Sequence, residues 1–173
     1  MSADIPAVID TNVLVVSRVG APAAETEHDP SPDQKQTVAE WLQAFIHSDT
    51  RLALDQQGKI ADEYRRNTTE QDIGFFVVDQ KWQQQRVDPF PVDYDKNDTA
   101  MVPAHMKDVI HDHADRKFVA VALGVVEQHG HATVFNATDT DWLEWAQQLT
   151  LESIDVQQLL PEWLERTYAR KYG

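Results

Sequence analysis

At 173 residues the chain fits a single domain, residues 1–173, large enough to bury a core without disulfide or metal staples. It contains no cysteine, which excludes a disulfide framework, an iron–sulfur cluster and a cysteine zinc site, and fits a reducing cytosol. The net charge of -14, from 29 acidic against 15 basic residues, disfavours a broad basic face that clamps long nucleic acid without regard to sequence.

The first apolar run, Val8 to Val16, reads as a buried parallel strand interrupted by Asp10, Thr11 and Asn12. A buried, unpaired carboxylate costs several kcal/mol, so Asp10 belongs where the strand emerges, beside a cation, a metal or hydrogen-bond donors. The run is too short to span a membrane and no basic leader precedes it, so a cytoplasmic protein without a membrane partner is the expectation. Ser17 to Asp33, with three prolines and four acidic residues, reads as an exposed loop over 17–33. Val38, Leu42, Phe45 and Ile46 then recur at helical spacing up to His47, with Asp33 as N-cap.

Leu52 to Leu54 predicts a second short strand, punctuated by Gly58. Lys59 to Asn67 predicts a helix, and so does Gln71 to Arg86, with Ile73, Phe76, Val77 and Gln80 on one side. Val87 to Tyr94 is marked as extended by Pro89 and Pro91, and Asp93 to Thr99 as a charged loop. Ala114 to Gln128 has the strongest helical pattern, with Asp112 as a candidate cap and Gly130 as its stop. A strand over Ala132 to Asn136, a helix through Leu143, Trp145 and Leu149, a strand over Ile154 to Gln158 and a closing helix after Pro161 complete the chain. Strands alternating with helices predict an α/β fold, a central mostly parallel sheet flanked by helices.

In an open parallel sheet, functional groups collect beyond the carboxyl ends of the strands. Asp10 and Asp139 fall there, Asp115 opens a helix at the same rim, and Glu63 lies on a helix that follows a strand. Four acids brought together need a cation, and hard oxygen ligands without cysteine or histidine suit Mg2+ or Mn2+. Singly, each acid has a plainer reading. Asp10, Asp115 and Asp139 can cap turns or helices, and Glu63 can pair with Arg66 three residues on. His111, Asp112, His113 and Asp115 offer a rival transition-metal set.

Four stretches in order, I-D-T-N-V-L from Ile9, D-E-Y-R-R from Asp62, H-A-D-R-K-F-V-A-V-A from His113 and A-T-D-T-D-W from Ala137, resemble the signature regions of PIN domains. The resemblance covers nearly the whole chain. It implies a Rossmann-like three-layer α/β/α sandwich and a metal-dependent endoribonuclease hydrolysing phosphodiester bonds of RNA. The matching catalytic and metal-binding acids are Asp10, Glu63, Asp115 and Asp139, with Asp141 as a further acid of the last motif and Asn12 in support. Arg65, Arg66, Arg116 and Lys117 flank these acids and are candidate contacts for substrate phosphates. An antitoxin-like protein partner and a homo-oligomer are both compatible with that reading. The alternatives are a catalytically silent scaffold for a protein or RNA partner and a metal-dependent phosphatase of small molecules.

Overall fold

The N-terminal apolar run divides in two. In the computed structural model, which describes residues 5–18 and 27–173, strand β1 covers only Ala7–Ile9 and helix α1 covers Thr11–Val16. The single strand expected over Val8 to Val16 is thereby corrected. Asp10 is extended, at φ -66° and ψ 142°, and its carboxylate accepts the Asn12 backbone N–H at 3.3 Å. Asp10-Thr11-Asn12 is a helix start, in which a short side chain satisfies an amide that the first turn leaves without a partner.

Of the loop expected over 17–33, residues 19–26 lie outside the described residues. Helix α2 (Pro32–His47) begins earlier than expected, because Ser31 rather than Asp33 is the N-cap: Ser31 Oγ accepts the Gln34 N–H while the Gln34 side chain accepts the Ser31 N–H. Strand β2 (Leu52–Asp55) leads through Gly58, at φ +79°, into α3 (Lys59–Asn67). The carboxylate of Asp55 accepts the Lys59 and Ile60 amides, both at 2.9 Å. Helix α4 (Ile73–Gln83) is shorter than expected. Its buried positions are Gly74, Val77 and Lys81, whereas Phe76, expected on the apolar face, is half exposed.

Strand β3 (Val87–Phe90) is followed by an irregular stretch with a short 3-10 turn at Ala104–Met106. Helix α5 (Arg116–His129) starts two residues later than expected. Asp115 occupies its N-cap position, while Asp112 accepts the Ala114 amide in the turn before it. Strand β4 (Ala132–Asn136), helix α6 (Asp141–Leu151), strand β5 (Ile154–Gln158) and helix α7 (Pro161–Tyr172) complete the order.

All five strands are parallel, in the order β3-β2-β1-β4-β5. This is the expected three-layer α/β sandwich, with a sheet that is wholly rather than mostly parallel. Right-handed crossovers, which parallel sheets impose, set α1 to α4 on one face and α5 and α6 on the other. Consistently, α1 packs on α2, α3 and α4, while α5 runs across all five strands. The core takes Val8, Ile9, Leu52, Leu54, Val134 and Phe135 from the sheet, with Phe118, Val119 and Ala122 from α5. Among the described residues no helix is long and apolar enough to cross a membrane.

Candidate functional site

The strand order reverses between β1 and β4: the chain moves outward through β2 and β3, then returns to lay β4 on the other side of β1. Such a switch point opens a crevice at the carboxyl ends of the strands. Asp10 follows the last residue of β1 and extends its ladder, donating its N–H to Phe135 O at 3.1 Å. Asp139 stands three residues beyond β4, and Asp115 lies at the start of α5. One carboxylate oxygen from each of the three lies within 4.8 Å of the others. Asp10 and Asp115 are buried, at 5% and 9% exposure.

Asp10 and Asp139 are held by neighbours. Trp142 Nε1 donates to Asp10 Oδ2 at 2.5 Å, from the first turn of α6. Asn12 holds the turn that carries Asp139: its Oδ1 accepts the Ala137 and Thr138 amides at 2.8 and 3.0 Å, and its Nδ2 donates to Asn136 Oδ1 at 2.9 Å. Asn136 in turn accepts the Asp139 N–H and donates to Asp139 O and to Gln158 Oε1. Two asparagine amides thus tie the ends of β1, β4 and β5 together. Side-chain amides used in this way, that of Asn136 buried and that of Asn12 partly so, fix a loop's position.

The electrostatics follow from this crowding. Burial, chiefly, pushes the Asp10 carboxyl up to about 7, with the Asp139 and Glu63 carboxylates adding to it and the Trp142 and Asn12 N–H groups opposing. Asp115 is pushed up to about 9, again mainly by burial, then by Asp10, Asp139 and Asp112, with Lys117 opposing. Asp139 is also raised, first by burial. Three acids that resist ionising together, yet present converged oxygens, match the needs of a hard divalent cation, whose charge would favour their ionised forms and so oppose all three shifts. Asp10, Asp115 and Asp139 therefore fit Mg2+ or Mn2+ as its holders.

Glu63 stands differently. Its Oε1 accepts the Thr11 hydroxyl at 2.5 Å and its Oε2 is paired with Lys117 Nζ at 2.5 Å. Asp141 supports Asp139 through its backbone, donating N–H to Asp139 Oδ1 at 2.9 Å, while its own carboxylate faces His111 Nε2 at 3.4 Å. His111, Asp141 and Glu144 form a second group whose ligand atoms lie within 4.8 Å of one another, largely exposed. Thus His111 meets Asp141 rather than the Asp112, His113 and Asp115 of the rival set read from sequence spacing.

The basic residues divide likewise. Arg116 is engaged with its own loop, donating to Ile110 O and Lys107 O, both at 2.9 Å. Arg65 is exposed and pairs with Asp62 at 3.0 Å, and Arg66 is exposed on the same helix. Three supporting residues, Thr11, Asn136 and Trp142, were not legible as such in the chain. Thr11 and Trp142 do lie inside the first and last of the four stretches, which is the signal that points to them. No protein-family model matches the chain, and no curated protein or solved structure matches it.

Proposed function

We propose that the chain is a PIN-like, divalent-metal-dependent endoribonuclease. The observation that carries this reading is the convergence of Asp10, Asp115 and Asp139, from three separate elements, at the β1/β4 switch point. The choice of RNA is supported by the resemblance of the four stretches. When bound, a Mg2+ or Mn2+ ion would acidify a water and offset charge on the phosphate oxygens during in-line attack. The chain's own residues do the rest. Asp10 is the central holder, oriented by Trp142 and by its own helix start. Asn12 and Asn136 keep Asp139 in register with it, a task whose loss typically costs about 10–100-fold in metal affinity. Asp141 contributes through its amide rather than its carboxylate.

The test is cleavage of a mixed single-stranded RNA with Mn2+, beside an Asp10→Asn variant and an excess-chelator control. Cleavage is expected for the unaltered chain alone and only with metal. Equal cleavage by the variant, or in chelator, would overturn the reading. Absence of both RNA cleavage and saturable Mn2+ binding would instead point to the scaffold, and hydrolysis of a chromogenic phosphomonoester to the phosphatase.

A further inference from the structure

Glu63 is the acid that the resemblance adds to the metal site, yet both of its oxygens are used within the chain. Oε1 takes the Thr11 hydroxyl and Oε2 takes the Lys117 ammonium. We propose that Lys117 is a built-in cation that fixes the metal count of this site at one, leaving Glu63 as its counter-ion rather than a metal ligand. The inference rests on the metal-site reading above and deepens it.

Lys117 is held in place by more than Glu63. It lies in the first turn of α5, its ammonium also donates to Ala114 O, and it lies 5.0 Å from the centre of the Phe118 ring. Its side chain is only 11% exposed, against 20% for Glu63. An ammonium so enclosed cannot step aside into water without leaving the Glu63 carboxylate in a part-buried place with a single hydroxyl donor, which is costly. A second divalent ion held at Glu63 would be set directly against the Lys117 ammonium on the same carboxylate. Lys117 is therefore a charge-balancing residue of the site, and its engagement with Glu63 replaces the phosphate contact expected of it from the sequence.

Metal-stripped protein titrated with Mn2+, with bound ion counted by electron paramagnetic resonance, tests this. All proteins carry His111→Ala, so that the exposed His111, Asp141 and Glu144 group does not add an ion. Otherwise unaltered protein is expected to bind one Mn2+ per chain. Glu63→Gln, whose amide oxygen still accepts from Lys117, should keep that ion with affinity lowered by no more than about tenfold, the low end for a residue that supports the ligands without being one. Lys117→Met should bind a second ion, lost again when Glu63→Gln is added. A gain of an ion is a readout that a merely structural lysine would not give. Two ions in the Lys117 protein, a larger loss on Glu63→Gln, or a folded Lys117→Met protein that still binds one would each overturn the inference. Should Lys117→Met fail to fold, Glu63→Gln decides alone. Binding of no ion at all by the Lys117 protein would sink the metal-site reading itself, and the inference with it.

Discussion

Trp142 places an N–H on a carboxylate oxygen of Asp10, the most buried of the three acids, and it does so from a helix that otherwise serves the core. A bond of this kind favours the charged form of the acid, against the burial that raises it. Trp142→Phe keeps an aromatic ring in the core and deletes the donor. It should therefore raise the Asp10 carboxyl further above about 7 and weaken Mn2+ binding by roughly tenfold, read by calorimetric titration. Asn12 has a different part, since it touches no acid of the triad with its side chain. Asn12→Ala leaves the Ala137 and Thr138 amides and Asn136 Oδ1 short of a partner. Stability should fall by about 1–3 kcal/mol in urea denaturation even in chelator, where a residue acting only on the metal would show no effect.

Between elements, α4 packs tightly on α1 at Gly74. A Cβ placed on Gly74 would lie 2.4 Å from the carbonyl oxygen of Leu14, which is backbone and cannot swing away. Gly74→Ala should cost about 1–3 kcal/mol by thermal or urea unfolding, despite alanine's better helix propensity, because overpacking outweighs that gain. Such contacts also explain what the sequence could and could not disclose. The strands Ala132–Asn136 and Ile154–Gln158 and the helix Lys59–Asn67 stand where their patterns put them. The Val8 to Val16 run misleads because Val13 to Val16 is apolar throughout, so periodicity cannot separate strand from buried helix. Asp10, Thr11 and Asn12 held the cap signal within it. Phe76 was placed on the wrong face of α4 because only tertiary contact shows that Gly74 and Lys81 face inward; Lys81 does so by donating to Ser48 O and Thr50 O. The meeting of Asp10, Asp115 and Asp139 was legible because strand ends and helix starts gather at one rim. The engagement of Glu63 with Lys117 was not, since it depends on the separation of α3 and α5, which no local pattern encodes.

For the molecule as a whole, the acids tie stability to pH and metal together. Asp10 rises from its ordinary 3.8 to about 7 and Asp115 from 3.8 to about 9, so between those limits the folded chain binds protons that the unfolded chain has released. Stability must then fall as pH rises through that window, the reverse of a salt-bridged aspartate. Lys81 opposes at the alkaline end: lowered from 10.5 to about 8, mainly by burial, it adds stability with rising pH only above about 8. The clean interval is therefore from about pH 5 to about pH 8. A net charge of -14 also repels itself more at higher pH, but that diffuse effect is screened by salt, whereas a buried cluster is screened much less. In chelator and roughly 0.5 M salt, urea stability should still drop by several kcal/mol across the interval. Asp10→Asn should flatten the drop, both by removing one titration and by lowering Asp115, which Asp10 raises. Mn2+ at about 100 times its Kd should restore about 2.7 kcal/mol near pH 8 in the unaltered chain and little in the variant. A drop of equal size in chain and variant would mean that the triad is not its source. Recovery with Mn2+ in the variant would mean that the ion binds elsewhere, so the two readouts separate the cost of crowding these acids from the use the chain makes of it.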